Sequence, residues 1–389
     1  MRIYWTIPTF ISSPHDSRGY GHLASKAWRA SAHLPRASCA FAANDHSYGS
    51  APISIPSERH AMSKGISSDL RERLAQAHAM KTCVYPRSAS DARQLRRACI
   101  RADLVSPAPR IYALPDHWSS LSRLEQEQCK LRTLAQLHPT WVFASFSAAV
   151  LYGLSVSYRR LDIIHIRCTR QSHSRSSRKI VRHVITNDQI TEVNGIQVTS
   201  IARTLFDTIN SSSFSEGLAL ADSVLRTTDM KSSELVRLLE PMRGHYLDSW
   251  RAKETAALAN GLAESGGESI ARATMIANGY MPPELQVGIP DLVNPSEEYR
   301  VDFYWRLPSG NIIGEMDGRE KYKNPVMTNG LDAVDVFANE RLRESRLTGS
   351  GSKVMRFSYR DVVNTRKFCH ILTSFGIPSG YGIPRVASY

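Results

Sequence analysis

Val301–Tyr322, VDFYWRLPSGNIIGEMDGREKY, decides how this chain is read. It reads as a strand carrying one carboxylate, Asp302, then a Pro-Ser-Gly turn, then a second strand that delivers two more, Glu315 and Asp317. Lys321 follows four residues later. Acidic groups on adjacent strands with a lysine close by are what a protein uses to hold a hard divalent cation and activate water against a phosphodiester. Two positions apart on a strand is the same face, so Glu315 and Asp317 are expected to converge. An acid inside the apolar, aromatic run around Asp302 is costly unless it points outward or binds something. The plain alternative for Glu315 and Asp317 is a polar strand end entering an Asp-Gly turn, and for Lys321 a surface lysine that stabilises nothing.

Working outward, Glu268–Ala277 (ESIARATMIA) reads as a helix with Ile270, Ala273, Ile276 and Ala277 inward. Glu268 falls in its first turn, where the helix dipole favours a carboxylate even without a function. On the other side of the motif, NERLRESRL is helical, with Glu340 and Glu344 at i and i+4. Arg341 and Arg343 on that helix contact DNA or pair with those acids, and the surface-pair reading is preferred.

A chain of 389 residues suffices for two or three domains, and 42% hydrophobic with 22% charged residues is ordinary globular composition. The formal charge of +13 is not ordinary. Residues 62–261 hold 28 Lys and Arg against 18 Asp and Glu, whereas residues 262–389 hold 15 of each, so the excess is central. A basic middle points to a polyanion partner; a generally basic proteome is the alternative. The six cysteines form no CxxC pair. That suggests neither a zinc knuckle nor a disulfide framework, and reduced thiols in a cytoplasmic protein are the simplest reading. The histidines, His165, His173 and His183 among them, show no ligand spacing. No apolar run approaches a membrane span, so no membrane partner is expected.

Residues 1–61 lack periodicity and read as a disordered extension, or as sequence upstream of an internal start at Met62. From Ile66 a Ser-capped helix carries Leu70, Leu74 and Ala77 inward. SASDARQLRRACIRA (Ser88–Ala102) follows as a second helix, with Leu95, Cys99 and Ala102 on one face and Arg93, Arg96 and Arg97 largely on others. Two short extended runs in LVSPAPRIYALP complete helix, basic helix and two-stranded wing, the order of a winged helix-turn-helix; a small α+β domain with solvated arginines is the alternative. Leu121–Leu137 is helical, and FASFSAAVLYGL (Phe143–Leu154) reads as a Ser-capped apolar helix. Leu161–Cys168 and Lys179–Ile185 are strand-like, joined by RQSHSRSSRK, whose Arg170, Arg175 and Arg178 reach phosphates or decorate a solvated hairpin tip. GIQVTSIARTLFDTI (Gly195–Ile209) is a strand, a cap and a helix with Ile201, Leu205 and Ile209 inward. Further helices lie at Ser215–Arg226, Lys231–Leu239 and Pro241–Gly266.

FASFSAAVLYGL, GIQVTSIARTLFDTI and ALADSVLR, in that order, resemble the AbiEi-type proteins of actinobacteria, antitoxin or transcriptional-regulator components of type IV toxin–antitoxin systems with an N-terminal winged helix. GGESIARATMIANGYMPPELQV, VDFYW, IIGEMDGREKY, NERLRESRL and KVMRFSYRDV resemble the nuclease-like domain often attached to them, similar to very-short-patch-repair endonucleases and so to the PD-(D/E)XK superfamily. The resemblance covers roughly residues 66–365. It implies an α+β N-terminal region, winged-helix-like over 62–120 and AbiEi-like over 121–261. An α/β restriction-endonuclease-like domain with a mixed sheet then occupies 266–370, and a tail 371–389. It implies Mg²⁺ held by Glu268, Asp302 and Glu315, and catalysis by Asp302, Glu315, Asp317 and Lys321. DNA is the implied partner, contacted through Arg93, Arg96, Arg97, Arg170, Arg175 and Arg178. Two departures stand out: no Gly-rich turn accompanies the basic helix, and Asp317 stands where the superfamily places its active-site lysine, leaving Lys321 to supply the ammonium. The expected function is metal-dependent phosphodiester hydrolysis in phage defence or genome maintenance. The alternative is a non-catalytic antitoxin or repressor, with a vestigial nuclease fold and a nucleotidyltransferase-like toxin as partner.

Overall fold

A computed structural model describes residues 65–169, 179–186, 189–242, 250–317 and 333–388. The expectations for residues 1–61, for Arg170, Arg175 and Arg178, and for Lys321 lie outside the described residues. Within them the chain is mixed α/β, with helices around small sheets of which one is mixed. No described helix is long and apolar enough to cross a membrane.

Helices α1 (Ser68–Ala79) and α2 (Ala89–Ile100) begin alike. The hydroxyls of Ser67 and Ser88 accept the backbone N–H groups of Leu70 and Asp91, donors that a helix start leaves open. α1 buries Leu70, Leu74 and Ala77 as its spacing dictates. α2 buries Leu95 and Ala98. Cys99 is only half-buried, and Ala102, expected inside, is exposed because the helix stops at Ile100 and Ala102 turns the chain at φ +63°. Arg73 clamps the two helices, donating to Asp91 (2.7 Å) and to the Tyr85 carbonyl. The Ser88 hydroxyl and Arg73 hold the Asp91 carboxyl down to about 2. An antiparallel hairpin follows, β1 (Val105–Ala108) with β2 (Ile111–Ala113), and Val84 pairs with Tyr112 of β2.

After α3 (Pro115–Ser120) and α4 (Arg123–Leu137), the middle of the chain is built round α5 (Ser145–Leu151), every residue of which is buried. The serine cap expected there is not made: Ala144 sits at the N-cap without a side-chain bond. Ser147 instead accepts the backbone N–H of His165 (2.9 Å). Phe143 pairs with both Ile166 and Val198, joining β3 (Ile164–Cys168) and β4 (Ile180–Val184) to β5 (Ile190–Val193) and β6 (Ile196–Thr199). β3 and β4 run parallel. The parallel register also brings His165 Nδ1 within 2.9 Å of His183 Nε2, two histidines that no spacing rule links. Burial pushes His165 down to about 4 and lowers His183 as well.

Next come α6 (Ile201–Asn210), α7 (Phe214–Thr227), α8 (Ser232–Leu239) and α9 (Trp250–Ala257). α6 buries Leu205 and Ile209 as read, while Ile201 is half-buried and Phe206 joins the core. The helix expected over Pro241–Gly266 is α9 alone among the described residues. The chain breaks where the Asn260 N–H turns to Asp222 (2.8 Å) and Gly261 packs on the backbone of Leu225.

The remaining elements are α10 (Gly266–Ala277), β7 (Glu284–Pro290), β8 (Glu298–Trp305), β9 (Ile312–Asp317), α11 (Ala333–Gly349), β10 (Lys353–Ser358), α12 (Tyr359–Val363) and α13 (Thr365–Phe375). The strand order is β10-β9-β8-β7. β7, β8 and β9 are antiparallel neighbours, and β10 lies parallel to β9 after α11 crosses over. Ala271 and Met275 of α10 with Phe368 and Leu372 of α13 cover Phe303, Trp305, Met355 and Phe357. Leu347 of α11 covers the other face at Ile289, Val301, Tyr304 and Ile313.

α10 lies against α7, and the contact contains a buried ion pair. Arg272 Nη2 donates to both Asp222 oxygens (2.8 and 3.0 Å), and Nη1 donates to the Leu258 carbonyl (2.9 Å). The Asp222 side chain is 0% exposed and that of Arg272 7%. Burial raises the Asp222 carboxyl even against the guanidinium and the Asn260 N–H. Removing one member of such a pair strands a charge and costs about 3–5 kcal/mol, whereas an apolar replacement of both is often neutral. Asp222→Ala should therefore lower the unfolding free energy by about 3–5 kcal/mol in urea titrations. The double variant Asp222→Leu with Arg272→Met should recover most of the loss.

Candidate functional site

Glu268 enters the site from the first turn of α10. The Ser265 hydroxyl accepts the Glu268 N–H (3.1 Å) and donates back to its Oε1 (2.7 Å), while the Glu264 N–H donates to Oε2 (2.8 Å). The carboxylate thus closes a helix start, as the dipole reading anticipates. It is also laid onto the sheet. A Cβ added at Gly267 would stand 2.6 Å from Met316 Cε, so the glycine lets α10 come down on β9. Burial, and then the charge of Asp302, push Glu268 up to about 7 despite the Ser265 hydroxyl.

Asp302 sits where the sheet inverts. Leu285 and Phe303 face the α10/α13 core, but Val287 and Val301 face the α11 core, although strand residues two apart normally share a face. The inversion falls on Gln286 and Asp302, the opposed pair that the β7–β8 register skips. Gln286 absorbs it with a left-handed backbone, φ +53°. Its Nε2 donates to Glu268 Oε2 (3.2 Å) and Asp302 Oδ1 (3.5 Å), and its Oε1 accepts from Arg300 Nε (2.8 Å). The second Asp302 oxygen accepts the Met316 N–H (2.9 Å), just past Phe303↔Gly314, where the β8–β9 ladder ends.

Glu315 is buried on β9 and raised by that burial; Arg343 opposes the rise and Asp302 adds to it. Arg343 Nη2 donates to Glu315 Oε1 (2.9 Å) and to the Arg300 carbonyl (2.8 Å). The surface-pair reading of Arg343 is thereby corrected: α11 packs across the sheet and delivers it to β9. Asp317 is exposed and pairs with Arg356 (3.3 Å) on β10, whose Nε also lies 3.6 Å from Glu344. Arg226 of α7 adds a cation from the middle of the chain. It donates to the Ala263 carbonyl (2.6 Å) and Ser155 Oγ (3.1 Å), and its charge opposes the rise of Glu268.

The structure thus gathers Glu268, Asp302 and Glu315 about one end of the β8–β9 pair, with Asp317 turned to Arg356. Gln286, Arg300, Arg343 and Arg356 complete the site, and no spacing rule marks any of them. An oxygen-only set suits a hard cation such as Mg²⁺. Glu268 Oε2 and Asp302 Oδ1 both accept from the Gln286 amide nitrogen, while Glu315 is held by Arg343. Among the described residues no three His, Cys, Asp or Glu side chains close round one point. The fit is of two carboxylates, with a guanidinium on the third.

A second candidate surface lies on α2. Arg93, Arg96 and Arg97 are all exposed, at i, i+3 and i+4 and opposite buried Leu95 and Ala98, so they form one stripe. Arg110 is exposed at the tip of the β1–β2 hairpin.

Arg343→Ala leaves a buried Glu315 charge without its cation. The side chain of Arg343 is 23% exposed, so the loss at neutral pH should be roughly 2–3 kcal/mol, below that of a fully buried pair. A carboxyl raised in the folded state stabilises below its unfolded pKa, and that contribution is lost as pH rises through the folded value. The variant should therefore lose more stability at pH 8 than at pH 5, and adding Glu315→Gln should flatten this dependence in denaturation series.

No family model matches the chain, and no solved structure matches it. Over 138 residues it is 31% identical to uncharacterized proteins of two Mycobacterium tuberculosis strains, Oshkosh and H37Rv. The match covers 36% of this chain and 49% of each relative, so the chain spans about half the length of the curated relatives it matches.

Proposed function

We propose that this chain is a DNA-binding protein with a divalent-cation-dependent, phosphodiester-cleaving centre at Asp302, acting in phage defence or genome maintenance. One observation carries the reading. Asp302 shares the Gln286 amide with Glu268, and its charge adds to the rise that burial causes at both Glu268 and Glu315. Like charges so placed need protons or a cation to offset them. Glu268 and Asp302 would hold Mg²⁺, with Glu315 joining once it leaves Arg343. A cation bound there supplies an acidified water and positive charge against the phosphate. Arg343 and Arg356 offer the fork-shaped donors that suit phosphate oxygens. The resemblance to PD-(D/E)XK endonucleases and to AbiEi-type regulators agrees with this division of labour. The α2 stripe with the β1–β2 hairpin serves as a winged-helix-like DNA contact.

A second reading has its own observation. Glu315 and Asp317 already carry Arg343 and Arg356, as befits a retired centre in a non-catalytic antitoxin or repressor whose partner is a nucleotidyltransferase-like toxin. Cation separates the two readings. With Mg²⁺ or Mn²⁺ at 100 times Kd, a functional centre gains about 2.7 kcal/mol of stability, seen as a raised Tm. Asp302→Asn and Glu315→Gln should each abolish the shift and any chelator-sensitive nicking of duplex DNA. No shift and no nicking in the parent protein would leave the regulator.

The stripe is tested by salt. Replacing Arg93, Arg96 and Arg97 together by Ala should weaken duplex DNA binding. It should also shallow the dependence of log K on log salt by about 0.9 for each phosphate that is no longer neutralised. An unchanged slope would place the DNA-binding face elsewhere.

A further inference from the structure

We propose that Gln286 is the positioning residue of the carboxylate centre: its amide nitrogen holds Glu268 and Asp302 together, ready for a divalent cation, and its left-handed backbone is what places it there. The inference rests on the reading of the centre as a cation site and names the residue that organises it.

Three observations meet at this side chain. The first is its bonding, in which one amide group on β7 bonds both α10 and β8. Nε2 donates to Glu268 of α10 (3.2 Å) and Asp302 of β8 (3.5 Å), and Oε1 accepts from Arg300 (2.8 Å). An amide suits this place because it donates to carboxylates without adding a charge of its own. A lysine would neutralise them and an acid would repel them.

The second is the backbone. A φ of +53° at a non-glycine residue with a long side chain is unfavourable and persists only where the surroundings over-determine it. Glycine would fill a left-handed position at less cost, and β7 already holds Gly288 two residues on. A glutamine there is explained by what its side chain does.

The third is the inversion. Without the irregular pair Gln286–Asp302, alternation along β7 and β8 would carry on unbroken. Leu285 and Val287 would then share a face, as would Val301 and Phe303. The left-handed residue breaks that pattern and leaves both polar side chains off the regular ladder, facing the start of α10. Register, sheet inversion and acid placement therefore turn on one residue.

Backbone and side-chain roles separate in two variants of the full-length protein. Gln286→Met keeps the length and the strained backbone but removes the donor. Gln286→Gly removes the donor and relieves the strain. If Gln286 positions the acids, both should weaken Mn²⁺ binding in titration calorimetry by about 10–100-fold, the range for partners that orient ligands without touching the metal. In chelator, Gln286→Gly should melt at or above the parent and Gln286→Met no higher than the parent. Any chelator-sensitive nicking should fall in both at subsaturating Mn²⁺ and recover as Mn²⁺ is raised. Parent-like Mn²⁺ affinity in either variant would overturn the proposal while leaving the cation site intact. A Gln286→Gly variant that melts well below the parent in chelator would likewise overturn it, because the residue would then be a structural bulge. Absence of Mn²⁺ binding in the parent protein would overturn this proposal and the cation reading together.

Discussion

The buried pair between Asp222 of α7 and Arg272 of α10 fixes where the C-terminal sheet meets the rest of the chain. An apolar contact tolerates sliding; a charge pair in a dry setting does not, because every displacement exposes one charge to a medium that cannot solvate it. Asp222 is also fastened by the Asn260 N–H, and Arg272 by the Leu258 carbonyl. The ends of the preceding segment are thus tied to the same point. Glu268 lies one helical turn before Arg272 on α10, and Gly267 lets that turn sit on Met316 of β9. The position of the first acid follows from an ion pair that takes no part in the site itself.

The second constraint is the fault in the sheet at Gln286 and Asp302. A regular antiparallel ladder satisfies its own N–H and C=O groups and leaves little for side chains to do. Here the ladder skips a pair, one residue adopts a left-handed backbone, and the Met316 N–H takes a carboxylate oxygen as its acceptor. The acids collect at the fault because polar groups are needed there. Burial first, and the charge of Asp302 after it, raise the Glu268 and Glu315 carboxyls.

Charge distribution acquires a physical meaning in the same way. The balance of 15 basic and 15 acidic residues over 262–389 corresponds in good part to local pairs: Glu315 with Arg343, Asp317 with Arg356, Asp291 with Arg346, Glu284 with Arg306 and Asp361 with Lys367. Each of these four arginines and one lysine has an acid of the same chain as its partner, so the pairs contribute little long-range field. On α2, Arg93, Arg96 and Arg97 stand exposed on one stripe.

Much of this was legible in the residues alone. The helices starting near Ser68 and Ser88, the apolar spacing of Leu70, Leu74 and Ala77, and two strands flanking a turn at Pro308–Gly310 are local features set by backbone hydrogen bonding and period. Asp302 stood out because a carboxylate in an apolar strand is costly, and Glu315 because it shares a strand face with Asp317. Sequence misled where partners were remote. Ala144 and not a serine stands at the N-cap of α5, Ser147 bonds the backbone of β3, and β3 and β4 run parallel, which brings His165 to His183. Arg343 reaches the sheet and not a neighbour on its own helix. Gln286 carried no signal, since its importance lies in a backbone angle and in three partners 14 to 18 residues away along the chain. The sequence by itself determined the elements and which of their faces are apolar, because those depend on near neighbours and a fixed period. Only the tertiary structure decided which acid meets which base, because a hydrogen bond or ion pair depends on ångström distances that sheet register and helix packing set.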